Sequence, residues 1–372
     1  MKLGFIVNPI AGMGGKVGLK GTDGVLNEAI ARGAKPIAPQ RAVEFMQKLK
    51  ENLEDEKIEV LTSPGIMGAE EVKTAGFPVQ ILCMKIGRKT SAEDTKRAVK
   101  LLAAANVDLI VFVGGDGTAK DVFDAVKDSG EVPVLGVPSG VKMYSGIFAV
   151  NPSDAADVVL AFSKKQAEIT EFEVMDADEK AIRSDTFAVK LYGFLKGPFV
   201  PLRMQGSKQV SPETTSEKDN QIAIARFVIE EMHPEAAYIL GPGTTVKRIA
   251  ELLGVGKTVL GVDIYRKGKV ILDVSEKRIL EEKLDWTNTW IILSPIGQQG
   301  ILLGRGNQQI SPEIIKHVGK KRIIVVATKT KLQSINGGVL RVDTGDDEAD
   351  NMLRGYVKVV TDYREWRLMP VQ

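Results

Sequence analysis

Apolar residues in this chain fall into short unbroken runs, separated by stretches with helical spacing, and glycine clusters sit where the two meet. Residues 108–113 form one such run, followed at once by Gly114-Gly115-Asp116-Gly117-Thr118. Val122, Phe123 and Val126 then recur at i, i+1 and i+4. This predicts a buried strand, a tight loop and a helix. Residues 2–7 repeat the arrangement and run into Asn8-Pro9-Ile10-Ala11-Gly12-Met13-Gly14-Gly15-Lys16. Beyond a glycine-rich stretch at 18–33, expected as a long loop, helices are predicted over 42–53, 68–75 and 91–105. Strands are predicted over 58–61, 79–84 and 132–137. Alternating strands and helices imply a parallel sheet with helices on both faces.

Asn151 opens a further helix, to about 164, and the texture then changes. Residues 168–177 and 186–194 read as strands of a β-rich second domain, and 198–201 with polar 207–220 as an exposed linker. From 221 on, helices at 222–232 and 246–253 alternate with strands at 237–240, 259–264, 290–293, 301–303 and 323–327. Strand-like segments at 339–343, 356–360 and 366–368 close the chain. The expected fold is α/β: an N-terminal parallel-sheet domain over 1–165 and a β-rich C-terminal domain over 166–372, with an α/β insert at about 220–330.

Composition narrows the function classes. Fifty basic against 48 acidic residues leave a net charge of +2, so no global field favours nucleic acid or a membrane surface, and anions must be held by local sites. No window approaches the ~18 apolar residues of a bilayer span. Residues 1–7 are too short for a signal sequence, and a cytoplasmic location is expected. The single cysteine, Cys83, lies in an apolar run and is expected as a core thiol. The two histidines, His233 and His317, are expected at the surface, and no Cys/His cluster has the spacing of a zinc site.

The glycine loops carry the chemistry. Glycines let phosphate oxygens approach the main chain, and a helix start adds N–H donors and positive potential. Two stricter templates fail. A dinucleotide fingerprint starting at Gly12 needs glycine where Val17 stands, and a Walker loop ending at Lys16 needs glycine where Ile10 stands. An acid within a phosphate loop repels its ligand unless a metal or a proton transfer justifies it, so Asp116 is either a functional carboxylate or a helix cap. A valine at Gly115 is expected to fill the space of a phosphate oxygen and to disfavour a positive φ. A third loop, residues 138–145, is expected beside the second; its Lys142 is a phosphate counter-charge or a solvated lysine.

Gly114 to Thr118 following a strand resembles the signature of the ATP–NAD kinase superfamily, which diacylglycerol and sphingosine kinases share. The first and third loops occur in the same order, and Gly304-Arg305-Gly306-Asn307-Gln308 with its flanks is similar to the AcoX-like branch of predicted ATP–NAD kinases. The resemblance implies a two-domain kinase with its site in the cleft, using ATP and Mg²⁺. It gives Asp116 the role of base or metal organiser. It gives Asn8, Gly12, Gly14, Gly15, Gly114, Gly115, Gly117, Thr118, Ser139, Gly140 and Lys142 to nucleotide phosphates. Two departures stand out: no Asn-Glu or Asn-Asp pair follows residue 118, and the family's Thr-Pro-Thr-Gly-Ser-Thr run has only a loose echo at 241–245.

Three functions are therefore weighed. The first is a kinase acting on a hydroxyl, with ATP or polyphosphate as donor and the 2′-hydroxyl of NAD the leading acceptor. The second is a kinase of another small metabolite or lipid-like alcohol, and the third a non-catalytic nucleotide sensor. The partners expected are a small-molecule substrate and further copies of the chain. A second candidate site draws on Gly241, Gly243, Thr244, Thr245, Asp263, Arg305 and Asn307. There threonine hydroxyls and a helix start would meet an anion. The alternative is that the glycines close tight turns and Arg305 pairs with an acid of the first domain.

Overall fold

A computed structural model describes residues 1–19, 26–53, 56–87, 89–127, 132–140, 143–177, 189–201, 203–204 and 215–372. Its chain divides into two compact units. The first comprises Met1–Met13, Gly21–Ala181 and Phe187–Lys208, and the second Gly14–Lys20, Ile182–Thr186 and Gln209–Gln372.

In the first unit, β1 (Lys2–Val7), β2 (Glu59–Thr62), β3 (Val79–Ile81), β4 (Leu109–Gly114) and β5 (Val134–Pro138) form a sheet in the order β3-β2-β1-β4-β5. All four pairings are parallel. Every residue of β4 and β5 is buried, as unbroken apolar runs require when helices cover both faces. The helices are α1 (Leu26–Ala31), α2 (Ala38–Glu51), α3 (Ala69–Thr74), α4 (Ala92–Ala104), α5 (Asp116–Val126) and α6 (Pro152–Ser163). Right-handed crossovers that step one way through α2 and α3, and the other way through α4 and α5, put the two pairs on opposite faces. The caps read from sequence hold: Ser91 N–H donates to Asp94 Oδ2 at 3.0 Å, and Asn151 Oδ1 accepts from Asp154 N–H at 2.7 Å.

Three differences have local causes. Part of the glycine-rich stretch expected as loop is helical, at α1. Cys83 is exposed rather than in the core, because β3 is the short edge strand and ends at Ile81. The antiparallel pair β6 (Glu168–Ala177) and β7 (Val189–Phe199), expected in the C-terminal domain, packs with the first unit. Buried Phe172, Val174 and Leu195 join that unit's core, so its apolar side has its partner there.

The second unit holds a seven-stranded sheet. Its strands are β8 (Ala237–Leu240), β9 (Asp263–Arg266), β10 (Lys269–Ile271), β11 (Thr289–Leu293), β13 (Ile323–Val326), β15 (Gly355–Asp362) and β16 (Glu365–Val371). Their order is β10-β9-β8-β11-β13-β15-β16. The middle four, β8, β11, β13 and β15, are parallel, and the outer pairings are antiparallel. The α/β segment and the closing strands are thus continuous through one sheet. Strands β12 (Ile301–Leu303) and β14 (Arg341–Val342) pair separately. Helices α7 (Thr215–Glu231), α8 (Thr244–Leu252), α9 (Glu276–Glu281), α10 (Pro312–Val318), α11 (Lys329–Gln333) and α12 (Asp347–Leu353) complete the unit. Of the expected linker, Pro198 and Phe199 instead end β7, paired with Ile169 and Glu168 of β6; residues 207–214 lie outside the described residues, and α7 starts directly after them. The strand expected at 259–264 starts only at Asp263. No helix among the described residues is long and apolar enough to cross a membrane.

Buried Glu71 on α3 sets a pH dependence. Its Oε2 has no hydrogen-bond partner among the described residues, and burial pushes its carboxyl up from 4.5 to about 7. Between those values the unfolded chain ionises while the folded chain keeps its proton, so stability falls as pH rises, by roughly 3 kcal/mol in all. Thermal unfolding of wild type and Glu71→Gln from pH 4 to pH 8 checks this: the gap between the two should widen in favour of the glutamine variant above pH 5. A pH-independent gap would contradict it.

Candidate functional site

Strands β1 and β4 lie side by side, and the chain leaves them in opposite directions across the sheet. Such a switch point opens a crevice beyond the carboxyl ends of the two strands, where α/β sheets bind ligands. Asn8 follows β1 here, Gly115 and Asp116 follow β4, and Ser139 and Gly140 follow β5.

The three loops are bonded to one another. Asn8 N–H donates to Val113 O at 3.0 Å, and Asn8 Nδ2 donates to Thr118 Oγ1 at 2.9 Å. Ser139 N–H donates to Gly114 O at 3.0 Å. The glycines make the approach possible. Gly12 has φ +80°, and a Cβ there would lie 1.9 Å from Ser139 O. A Cβ on Gly140 would lie 3.2 Å from Gly115 Cα. Gly115 itself is extended, at φ −122°, and a Cβ there would meet Gly140 Cα at an ordinary 3.5 Å, so neither a positive φ nor crowding within the protein requires glycine at that position.

Asp116 opens α5, and Gly115 holds the N-cap position. The acid is therefore not the cap. Its half-buried carboxylate turns to the third loop: Oδ2 accepts from Tyr144 N–H at 2.7 Å and Oδ1 from Ser145 N–H at 2.9 Å. Ser145 Oγ in turn accepts from Met175 N–H of β6 at 2.9 Å, which ties the hairpin to the same point. Two N–H donors stabilise the charged carboxylate. Burial, and then the negative charge of Asp116, push the Tyr144 phenol well above its usual range. Ser139 Oγ is buried with no hydrogen-bond partner among the described residues, so a polar group remains to be satisfied at the end of β5.

The structure brings Asn8, Gly12, Gly114, Gly115, Asp116, Gly117, Thr118, Ser139 and Gly140 together in the first unit. Thr118 is buried, and its Oγ1 accepts from Asn8 Nδ2, which ties the first loop to the second. Gly14 and Gly15 belong to the second unit with the rest of segment 14–20, where Lys16 O accepts from Glu276 N–H at 3.1 Å. Lys142 lies outside the described residues. Tyr144 and Ser145 were not among the candidates. They act through backbone N–H groups, which any residue type supplies, so nothing in their identity marks them.

The second candidate set separates into structural and open members. Asp263 is wholly buried and paired with Lys257 Nζ at 2.8 Å; Thr258 N–H and Asp273 N–H also donate to it, at 3.1 and 2.7 Å. Asn307 is likewise buried and closes its own turn, accepting from Gly304 N–H at 3.0 Å and donating to Leu302 O at 2.9 Å. Both are engaged internally, which removes them from a ligand role. Buried Arg305 donates to Gln299 Oε1 at 3.1 Å. Gly241, Gly243, Thr244 and Thr245 form the turn into α8, after β8.

Among the described residues no three His, Cys, Asp or Glu side chains group as a metal cage. Mg²⁺ is commonly held by one or two carboxylates together with substrate phosphates and water. Asp116, a half-buried carboxylate at the switch point of the sheet, is the residue that fits that pattern as the protein's share.

Two family models match. The ATP-NAD kinase N-terminal domain covers residues 3–167, and the ATP-NAD kinase C-terminal domain covers residues 233–371. No curated protein matches the chain. Among solved structures, a proposed diacylglycerol kinase from Bacillus anthracis str. Sterne aligns at 17% identity and a TM-score of 0.25, over 48% of this chain and 46% of that one. A second structure of the same description aligns at 16% identity and a TM-score of 0.22, over 64% and 59%. The chain thus spans about half the length of these structures.

The apposition of the first and third loops is testable through Gly12→Ala, with Gly33→Ala as control. Gly33 has φ +82° but open space around its Cβ position. Strain alone should cost the control about 1 kcal/mol, whereas the added collision with Ser139 O should cost Gly12→Ala roughly 3 kcal/mol or more in urea unfolding. Equal losses would mean that the two loops do not touch.

Proposed function

The chain belongs to the ATP–NAD kinase superfamily, and from that premise we propose that it transfers the γ-phosphoryl group of ATP to a hydroxyl, with the 2′-hydroxyl of NAD as the leading acceptor. The observation that carries the reading is the Asp116 carboxylate, fixed by two backbone N–H groups at the switch point of a parallel sheet.

Phosphoryl transfer needs alignment and charge neutralisation more than covalent help. In the proposed step the acceptor oxygen bonds to Pγ, the Pγ–O bond to the β-phosphate breaks, and ADP leaves. Asp116 orients the acceptor hydroxyl and receives its proton as the new bond forms. A loose transition state places little demand on base strength, so a carboxylate suffices. Mg²⁺, held through Asp116 and the phosphates, would supply charge neutralisation. Gly115 and Gly140 leave main chain bare of side chains beside the acid, Ser139 Oγ offers a hydroxyl, and the first turn of α5 adds positive potential.

The missing acidic pair after residue 118 favours a second reading, phosphorylation of another small hydroxyl metabolite. Both readings use the same acid. Asp116→Asn should lower kcat by about 10²–10⁴ while leaving the KM for ATP within a few-fold. It should also lower the melting temperature slightly, because an amide NH₂ cannot accept from both Tyr144 and Ser145. Assays of ADP release with NAD and with a panel of small alcohols decide the acceptor. Near wild-type turnover in the variant would sink the assignment of Asp116, and release only with non-nucleotide alcohols would replace NAD.

A further inference from the structure

The carboxyl ends of three adjacent parallel strands of the second unit gather polar groups that the proposed kinase chemistry does not use. After β8 comes the turn into α8, a helix of nine residues whose N-cap is Gly243 at φ +121°, with no side chain to cap it. The Gly243 N–H is itself engaged, donating to Val259 O at 2.8 Å, and the first turn beyond it carries the positive end of the helix with no side-chain cap. Ser294 follows β11, the next strand. It is 2% exposed, its Oγ has no hydrogen-bond partner among the described residues, and it lies 3.9 Å from the position a Cβ on Gly243 would take. Thr328 and Lys331 follow β13, the third strand.

Helix α7 bridges the ends of this row. Glu217 and Gln221 share one of its faces, four residues apart. Gln221 Nε2 donates to Thr244 Oγ1 at 3.3 Å, and Thr328 Oγ1 donates to Glu217 Oε1 at 2.6 Å. Burial pushes the Lys331 ammonium down to about 8, and only Glu217 works against that. Strands β8 and β13 stand about 10 Å apart across β11, which is the span of a small phosphorylated metabolite.

The two ends differ in chemistry. At α8 there are helix N–H groups, threonine hydroxyls and an unsatisfied serine, which suit an anion. Beside β13 an acid and an amine together present donor and acceptor with no net charge, which suit hydroxyls. We propose that the second unit carries its own binding site for a phosphate monoester of a small polyhydroxy compound, with the phosphate at Thr244, Thr245 and Ser294 and the hydroxyls at Glu217 and Lys331. The ligand's phosphate gives Ser294 Oγ the partner it lacks.

Titration of the full chain with glycerol 3-phosphate, inorganic phosphate and glycerol tests this, by calorimetry in saturating ATP and repeated with Asp116→Asn. Saturable binding of glycerol 3-phosphate in both settings is expected, with inorganic phosphate weaker and glycerol silent. Ser294→Ala, which removes only one buried hydroxyl, should weaken both phosphate ligands about ten-fold. Lys331→Met should weaken the ester more than inorganic phosphate, with Lys331→Arg recovering part of the loss; circular dichroism confirms that each variant is folded. Absence of phosphate-ligand binding, or affinities unchanged in folded Ser294→Ala and Lys331→Met, would overturn the site. ATP competition that abolishes binding would assign it to the first unit. Failure here leaves the turnover assay with Asp116→Asn untouched, since that assay reads a different unit.

Discussion

Where β4 ends, a carboxylate has to be both charged and held still. The chain meets both demands with main-chain atoms: the N–H groups of Tyr144 and Ser145 converge on the two oxygens of Asp116. The arrangement of the loops at this end of the first unit's sheet follows from that grip. It sets where the third loop lies against the second, and through Ser145 Oγ it draws in the β6–β7 pair at Met175. It also leaves Tyr144 buried beside a negative charge, so the phenol stays protonated. A neutral residue at 116 would loosen three segments at once.

The glycines around this point do different jobs. Gly12 is needed for its positive φ and for its closeness to Ser139 O. Gly115 has an ordinary extended backbone with room for a Cβ, whereas a Cβ on Gly140 opposite would come within 3.2 Å of Gly115 Cα. Gly114 is needed because a Cβ would run into Thr118 Oγ1 at 2.4 Å, the atom that also receives Asn8. The loops are thus bare for mutual packing, and the same bareness is what lets a phosphate come near the main chain.

The second unit repeats the layout in a different sheet. Its four central strands are parallel, so their carboxyl ends form another edge at which helix starts and loop hydroxyls collect. At the flank of that edge the buried Lys257–Asp263 pair, and elsewhere in the unit the Asn307 turn, show polar residues engaged within the fold. Ser294 shows the opposite, a buried hydroxyl still without a partner among the described residues.

Apolar runs and their spacing were enough to read the parallel sheet of the first unit, its helix caps and the three glycine loops, because those patterns reflect local burial and local hydrogen bonding. Glycine-Glycine-Aspartate at 114–116 marked the acid for the same reason: so unusual a residue in a phosphate loop is visible without neighbours. Other features depended on contacts between residues far apart in the chain. Only the fold could show that β6 and β7 pack with the first unit, because their alternating pattern names an apolar side and not its partner. The pairing of Asp263 with Lys257 was equally hidden, since an acid at a strand end looks the same whether it meets a ligand or a buried amine. The donors that orient Asp116 were illegible for a deeper reason. Every residue but proline carries the same N–H, so which two amides reach a carboxylate is decided by where the backbone goes and not by what the side chains are.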